Sequence, residues 1–135
     1  SINSGKKIYC IDNGLVYAKS MTLSPDKGRL YENLVAIALK NKAREAYYWK
    51  NAQQEEVDFA VREGHNVVQL IQVCASCNDM PERESRALIK ASAELKCDNL
   101  LVITEQDEIE KTISWFGVEK KIKFMPLWKW LLEQK

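Results

Sequence analysis

The sequence predicts an α/β domain built on a mixed sheet, and three observations carry that expectation. Two segments place apolar residues at helical spacing behind capping or proline signals. Three β-type runs lie between them, separated only by short polar turns, and one more apolar run follows the second helical segment.

Taken in order, Ile8-Tyr9-Cys10-Ile11 is a β-like run closed by Asp12-Asn13-Gly14, a turn signal because Asn and Gly tolerate positive φ, and it reads as a leading strand. Ser24-Pro25-Asp26 then supplies capping chemistry. Leu30, Leu34, Val35, Ile37 and Ala38 recur at helical spacing, which predicts a first long helix over roughly Gly28 to Lys42. The runs Ala46–Trp49, Val57–Val61 and Val67–Val73 follow, joined by Asn51–Gln54 and Glu63–Asn66, which are short enough to be hairpin loops. An antiparallel meander is the expected result. A second helix runs from about Pro81 to Lys96, with Leu88, Ile89, Ala91 and Leu95 as its apolar stripe. Leu100–Ile103 is a buried strand, and reaching it across a helix is the connection that parallel strands need. Ile113–Trp115 and Ile122–Phe124 are read as two further short strands, and Pro126 opens a terminal helix, Leu127 to Glu133. No internal repeat or Pro/Gly/Ser linker breaks the chain, so residues 1–135 are expected to form one domain.

Composition narrows the class. The 135 residues suffice for a core without disulfides or metal, and 46% apolar with 29% charged residues is the balance of a globular protein. A formal charge of +1 lacks the basic excess that announces nucleic-acid binding, yet leaves room for a local basic face. Apolar runs such as Leu100–Ile103 fall far short of the roughly 20 residues that span a bilayer, so no membrane partner is expected. Ser1 begins the chain without an initiator Met or a signal-peptide core, which reads as a domain excised from a longer protein. The four cysteines read as reduced thiols, which makes the cytoplasm the expected compartment.

Glu32 lies on the first helix, Asp58 on the second strand of the meander, and Gln72-Val73-Cys74 ends the third. Residues two apart on a strand share a face, so Gln72 and Cys74 are expected to point the same way, beside Asp58 on the neighbouring strand.

The order helix, three strands, helix, strand, with these residues on it, resembles the PD-(D/E)XK nuclease superfamily, whose restriction endonuclease-like core is αβββαβ. In that superfamily a helix Glu, a strand Asp and an acid-x-Lys meet to hold Mg²⁺, which polarises the phosphodiester and lowers the pKa of the attacking water. The resemblance implies catalytic or Mg²⁺ (or Mn²⁺) positions at Glu32, Asp58 and Gln72. Here Gln72 offers an uncharged oxygen, and Cys74 stands where the lysine would be. Two of the four positions are therefore degenerate, and any metal is expected to be weakly held. Arg86 or Lys90 of the second helix is a candidate substitute cation.

A more specific resemblance is to a domain of unknown function at the C-terminal end of prokaryotic AAA+-type ATPases. It rests on Lys7-Ile8-Tyr9 with Asp12-Asn13-Gly14-Leu15, Gly28-Arg29-Leu30-Tyr31-Glu32-Asn33-Leu34-Val35, Tyr48-Trp49 before Glu56-Val57-Asp58-Phe59, Gln72-Val73-Cys74, and Pro126-Leu127-Trp128-Lys129-Trp130-Leu131-Leu132. It implies that ATP is bound by an N-terminal ATPase module, the expected partner, and not by this chain. Ser4-Gly5-Lys6 lacks phosphate-loop spacing. The implied function is a catalytically impaired nuclease-like domain that binds DNA or a partner. The alternatives are an active Mg²⁺-dependent endonuclease and a protein-interaction or assembly module, oligomers included.

Other residues have plainer readings. Cys74 and Cys77 form a CxxC without a second closely spaced ligand pair, so free thiols are expected rather than zinc. His65 sits in a predicted turn with no nucleophile arranged beside it. Most aromatics are expected in the core, with Trp128 or Trp130 leaving one ring at the surface as a contact for the ATPase or another subunit.

Overall fold

A computed structural model describes residues 24–135 and the backbone of residues 7–10. Its elements are β1 (Lys7–Cys10), α1 (Pro25–Asn41), β2 (Glu45–Lys50), β3 (Glu56–Glu63), β4 (Asn66–Val73), α2 (Glu82–Leu95), β5 (Leu100–Thr104), β6 (Ile109–Trp115), β7 (Val118–Pro126) and α3 (Leu127–Glu133). Ile11 and the Asp12–Gly14 turn lie outside the described residues.

α1 begins three residues before the expected Gly28. Ser24 Oγ accepts a hydrogen bond from the Lys27 backbone N–H at 3.2 Å, and Pro25 loses nothing in the first turn because its missing N–H would have had no helical partner. Val35, Ala36 and Leu39 turn inward, and Glu32 completes the same stripe. α2 starts at Glu82 after Pro81 and stops where Lys96 adopts the left-handed conformation at φ 55°.

The seven strands form one sheet in the order β1-β2-β3-β4-β5-β7-β6. β1 through β4 pair antiparallel, as the short connections require. β5 is parallel to β4 across the α2 crossover, and β7 is parallel to β5. The mixed α/β architecture expected from the sequence is thus the one observed. β6 and β7 are longer than their apolar triplets indicated, and they close a hairpin at the sheet edge. Its two-residue turn is Phe116-Gly117, at φ 49° and 79°. Both central residues take positive φ, a conformation that costs a bulky side chain about 1 kcal/mol relative to glycine.

Alternation along the central strands divides the core into two layers. Phe59, Val61, Ile71, Val73, Leu101 and Ile103 pack with α1 and α3. Ala60, Leu70, Cys74, Leu100, Val102 and Phe124 pack with Ala87, Leu88 and Ala91 of α2 on the opposite face. Among the described residues no helix is long and apolar enough to cross a membrane.

Candidate functional site: an acidic notch between β3 and β4

The β3–β4 ladder runs from Glu63 opposite Asn66 to Phe59 opposite Ile71 and goes no further. On the other side of β3, Tyr47 pairs with Ala60 while Trp49 pairs with Val57, so Asp58 and Phe59 together face the single residue Tyr48. That is a β-bulge, which bends a strand and re-aims its side chains. Asp58 is the residue it redirects. Meanwhile β4 continues along β5 to Val73 opposite Ile103. β3 and β4 therefore part at Asp58 and Gln72, leaving backbone groups without ladder partners.

Side chains fill that gap. Gln72 Oε1 accepts the Asp58 backbone N–H at 2.7 Å, and Gln72 Nε2 donates to the Glu56 carbonyl at 3.0 Å. In return Asp58 Oδ2 accepts the Val73 N–H at 2.9 Å. Asp58 and Gln72 are both fully enclosed. Gln72 thus replaces two ladder bonds with its own amide, a task a carboxylate could do only by half because it cannot donate to Glu56.

The other sequence-predicted positions sit in different surroundings. Cys74 is buried against α2, on the face where Leu70 also points, as the two-residue spacing requires. Glu32 is not a surface acid of α1: it has no exposed area and continues the stripe of Val35 and Leu39. Arg86 and Lys90 both turn to Glu55 at the start of β3, at 3.1 and 2.6 Å. Glu55 has only 5% of its side chain exposed. Its Oε1 also accepts from Asn51 Nδ2 at 2.9 Å, and Asn51 Oδ1 accepts the backbone N–H groups of Gln53 and Glu55. Burial works against ionisation of Glu55, but the bonds from Asn51, Lys90 and Arg86 outweigh it and hold the carboxyl at about 2. Lys90 also stands 4.8 Å over the Trp115 ring, a cation–π contact.

Sequence reasoning missed one acid of the notch, Glu84 in the first turn of α2. Burial, and then the nearby Asp58 charge, push its carboxyl up to about 8, and its Oε1 lies buried without a hydrogen-bond partner. Nothing in a run such as Pro81-Glu82-Arg83-Glu84 distinguishes the acid that turns inward from the one that stays in solvent. Even so, no group of three or more His, Cys, Asp and Glu side chains in metal-holding geometry occurs among the described residues. His65 is exposed in the β3–β4 turn. Cys74, Cys77 and Cys97 are free thiols.

Glu84 makes a signed prediction. A carboxyl whose folded pKa lies above its unfolded value of about 4.5 favours the fold fully below that value, and the advantage is lost as pH rises through about 8. Glu84→Gln removes this liability. Urea unfolding should show the variant clearly more stable than wild type at pH 9 and nearly equal at pH 4. Equal destabilisation at both pH values would mean that the Glu84 charge is instead compensated inside the notch.

A three-layer α/β domain with buried acids where two of its central strands part is the class that this architecture defines. The sequence profile of a domain of unknown function, DUF4143, matches residues 27–130, from the first turn of α1 into α3, and the chain belongs to that family. It is also similar to Uncharacterized protein MJ1544 of Methanocaldococcus jannaschii, with 38% identity over 135 residues that cover 96% of this chain and 30% of that protein. The chain therefore spans less than a third of the length of that curated relative. No solved structure is significantly similar to it.

Proposed function

We propose that this chain is a nuclease-like domain of a P-loop ATPase of the AAA+ type, and that it binds DNA or a protein partner where PD-(D/E)XK enzymes cut. The observation that carries the reading is the state of Gln72. It stands in the acid-x-Lys position, carries no charge, and spends its carbonyl oxygen and its amide nitrogen on the backbone of β3.

Further features support it. A hard divalent cation favours several negatively charged oxygens, and here one oxygen of Asp58 is engaged by Val73. Arg86 and Lys90, the candidate stand-ins for the lysine, neutralise Glu55 instead. Mg²⁺ or Mn²⁺ is held weakly at most in such a notch. The ATPase part of the reading draws on the sequence resemblance and on the length of the archaeal relative, more than two thirds of which lies outside the matched region.

The test is a cleavage assay on plasmid and linear DNA with 10-fold steps of Mg²⁺ or Mn²⁺, using wild type and Asp58→Ala. No divalent-dependent cutting above the variant's background is expected. Cutting that the Asp58→Ala change abolishes overturns the proposal in favour of an active endonuclease. Gel shifts across a salt series then separate the two binding modes, since phosphate contacts weaken steeply as salt rises and apolar protein contacts do not.

A further inference from the structure

The edge strand β6 and its turn carry several features that the notch does not explain. Of the seven exposed large hydrophobic side chains among the described residues, five (Ile109, Phe116, Val118, Trp128 and Leu132) belong to β6, β7, their turn and α3. Among the described residues β6 pairs only with β7, in unbroken register from Ile109 opposite Phe124 to Trp115 opposite Val118. It has no proline, glycine or bulge to discourage a further strand. Phe116 is 87% exposed while held at φ 49°, where Asn would sit more easily beside Gly117. Within the chain it touches the Trp115 ring edge-on at 4.7 Å and gains little burial in return for its conformation.

We infer that β6 and the Phe116 turn form a two-fold interface between two copies of this chain, joining their sheets edge to edge. Charge selects the register. An antiparallel pair related by a two-fold axis through the sheet keeps each side chain on its own face, so the axis must pass through a residue. Centring on Glu110 sets two carboxylates opposite one another, and centring on Lys111 sets two ammonium groups opposite. Centring on Ile113 leaves Ile109 uncovered.

Centring on Thr112 pairs the whole strand. Ile109 then faces Trp115 of the second copy, Glu110 faces Ser114, and Lys111 faces Ile113, with no like charges opposed. Phe116 comes beside Glu108 of the second copy, whose carboxylate is ion-paired to Lys129 next to the exposed Trp128. A nucleic acid fits this surface less well. On the exposed face of the hairpin Glu110 and Glu119 balance Lys121 and Lys123, which leaves no excess of positive charge for a polyanion.

Sedimentation equilibrium of the 135-residue chain tests the interface. Wild type should be a reversible dimer. Thr112→Glu is the decisive change, because Lys121 lies opposite position 112 within the same hairpin and receives the new carboxylate, while the two-fold axis sets two such carboxylates about 5 Å apart. The variant should fold normally and dissociate about tenfold more readily. Mixing it with Thr112→Lys should restore a heterodimer tighter than either variant alone. Phe116→Asn should raise the melting temperature by a few degrees by relieving the turn, and at the same time weaken the dimer. A wild-type monomer up to about 1 mM overturns the inference, as does a dimer indifferent to Thr112→Glu. A monomer whose tryptophan fluorescence responds to single-stranded DNA in a Phe116-dependent way also overturns it, assigning the surface to nucleic acid.

Discussion

Glu55→Ala is expected to destabilise the domain by about 3 kcal/mol at pH 7, because removing the carboxylate of a buried ionic cluster leaves Lys90 unpaired and Arg86 with Glu82 alone. Arg86 and Lys90, with 31% and 27% of their side chains exposed, would lose the carboxylate that both contact, and Asn51 would lose the acceptor for its amide. Partial solvent access to the two cations keeps the cost at the lower end of the range for buried pairs. The pH dependence has a definite sign. Glu55 is held at about 2 in the fold against 4.5 as a reference, so its contribution is complete above about 4.5 and is lost as pH falls toward 2. Urea unfolding of wild type and variant at pH 7 and at pH 3 measures this directly. A gap between the two proteins that stays constant over that range would show that Glu55 acts through packing and not through charge.

Gln72→Ala should cost about as much, roughly 3 kcal/mol, for a different reason. The change removes the side-chain partner of the buried Asp58 N–H and of the part-buried Glu56 carbonyl and leaves a cavity beside them. Gln72→Met, which keeps the volume and removes the polar atoms, separates the two costs and should retain most of the loss. Gln72→Glu is a sharper variant, since it keeps the acceptor for Asp58 but offers no donor to Glu56 at neutral pH. If these changes leave stability alone without divalent ions and matter only when Mg²⁺ is added, Gln72 is a ligand and not a strut. The effect should also be independent of pH between 5 and 8, in contrast to that of Glu84, because an amide does not titrate. The two acids and the amide thus give three distinguishable signatures within one small region.

Much of this fold was legible in the residues themselves. Ser24-Pro25-Asp26 supplied the capping signal of α1, although the helix starts three residues before the expected Gly28; the Leu88–Leu95 stripe marked α2, and the short turns around residues 51–54 and 63–66 required the antiparallel meander. The crossover through α2 required a parallel β5, and the terminal helix begins and ends where its pattern indicated. The β6–β7 hairpin was less visible. Its turn uses Phe-Gly where Asn-Gly is the usual signal, and its charged residues alternate with apolar ones that only the α2 face makes sense of. The notch was legible in part. Two-residue spacing accounts for Cys74 lying with Leu70 on the α2 face, but the bulge at Asp58 arises from a mismatch between two strands and cannot be read from either alone. The same holds for Glu55 and Glu84. Both look like ordinary surface acids in sequence, and the seating of α2 on the sheet decides that one becomes an ion-pair hub and the other a reluctant proton holder.

The position of β5 between β4 and β7 also dictates the order of assembly. The meander of β2, β3 and β4 closes through loops of a few residues and can form on the fast timescale of hairpins. β5 has no hairpin partner: it meets β4, the strand before it in the chain, only across the α2 crossover, and β7 joins it only after β6 has folded back. Capture of this five-residue segment is therefore expected to limit the folding rate, and a truncation that removes the last hairpin would leave it with a single neighbouring strand.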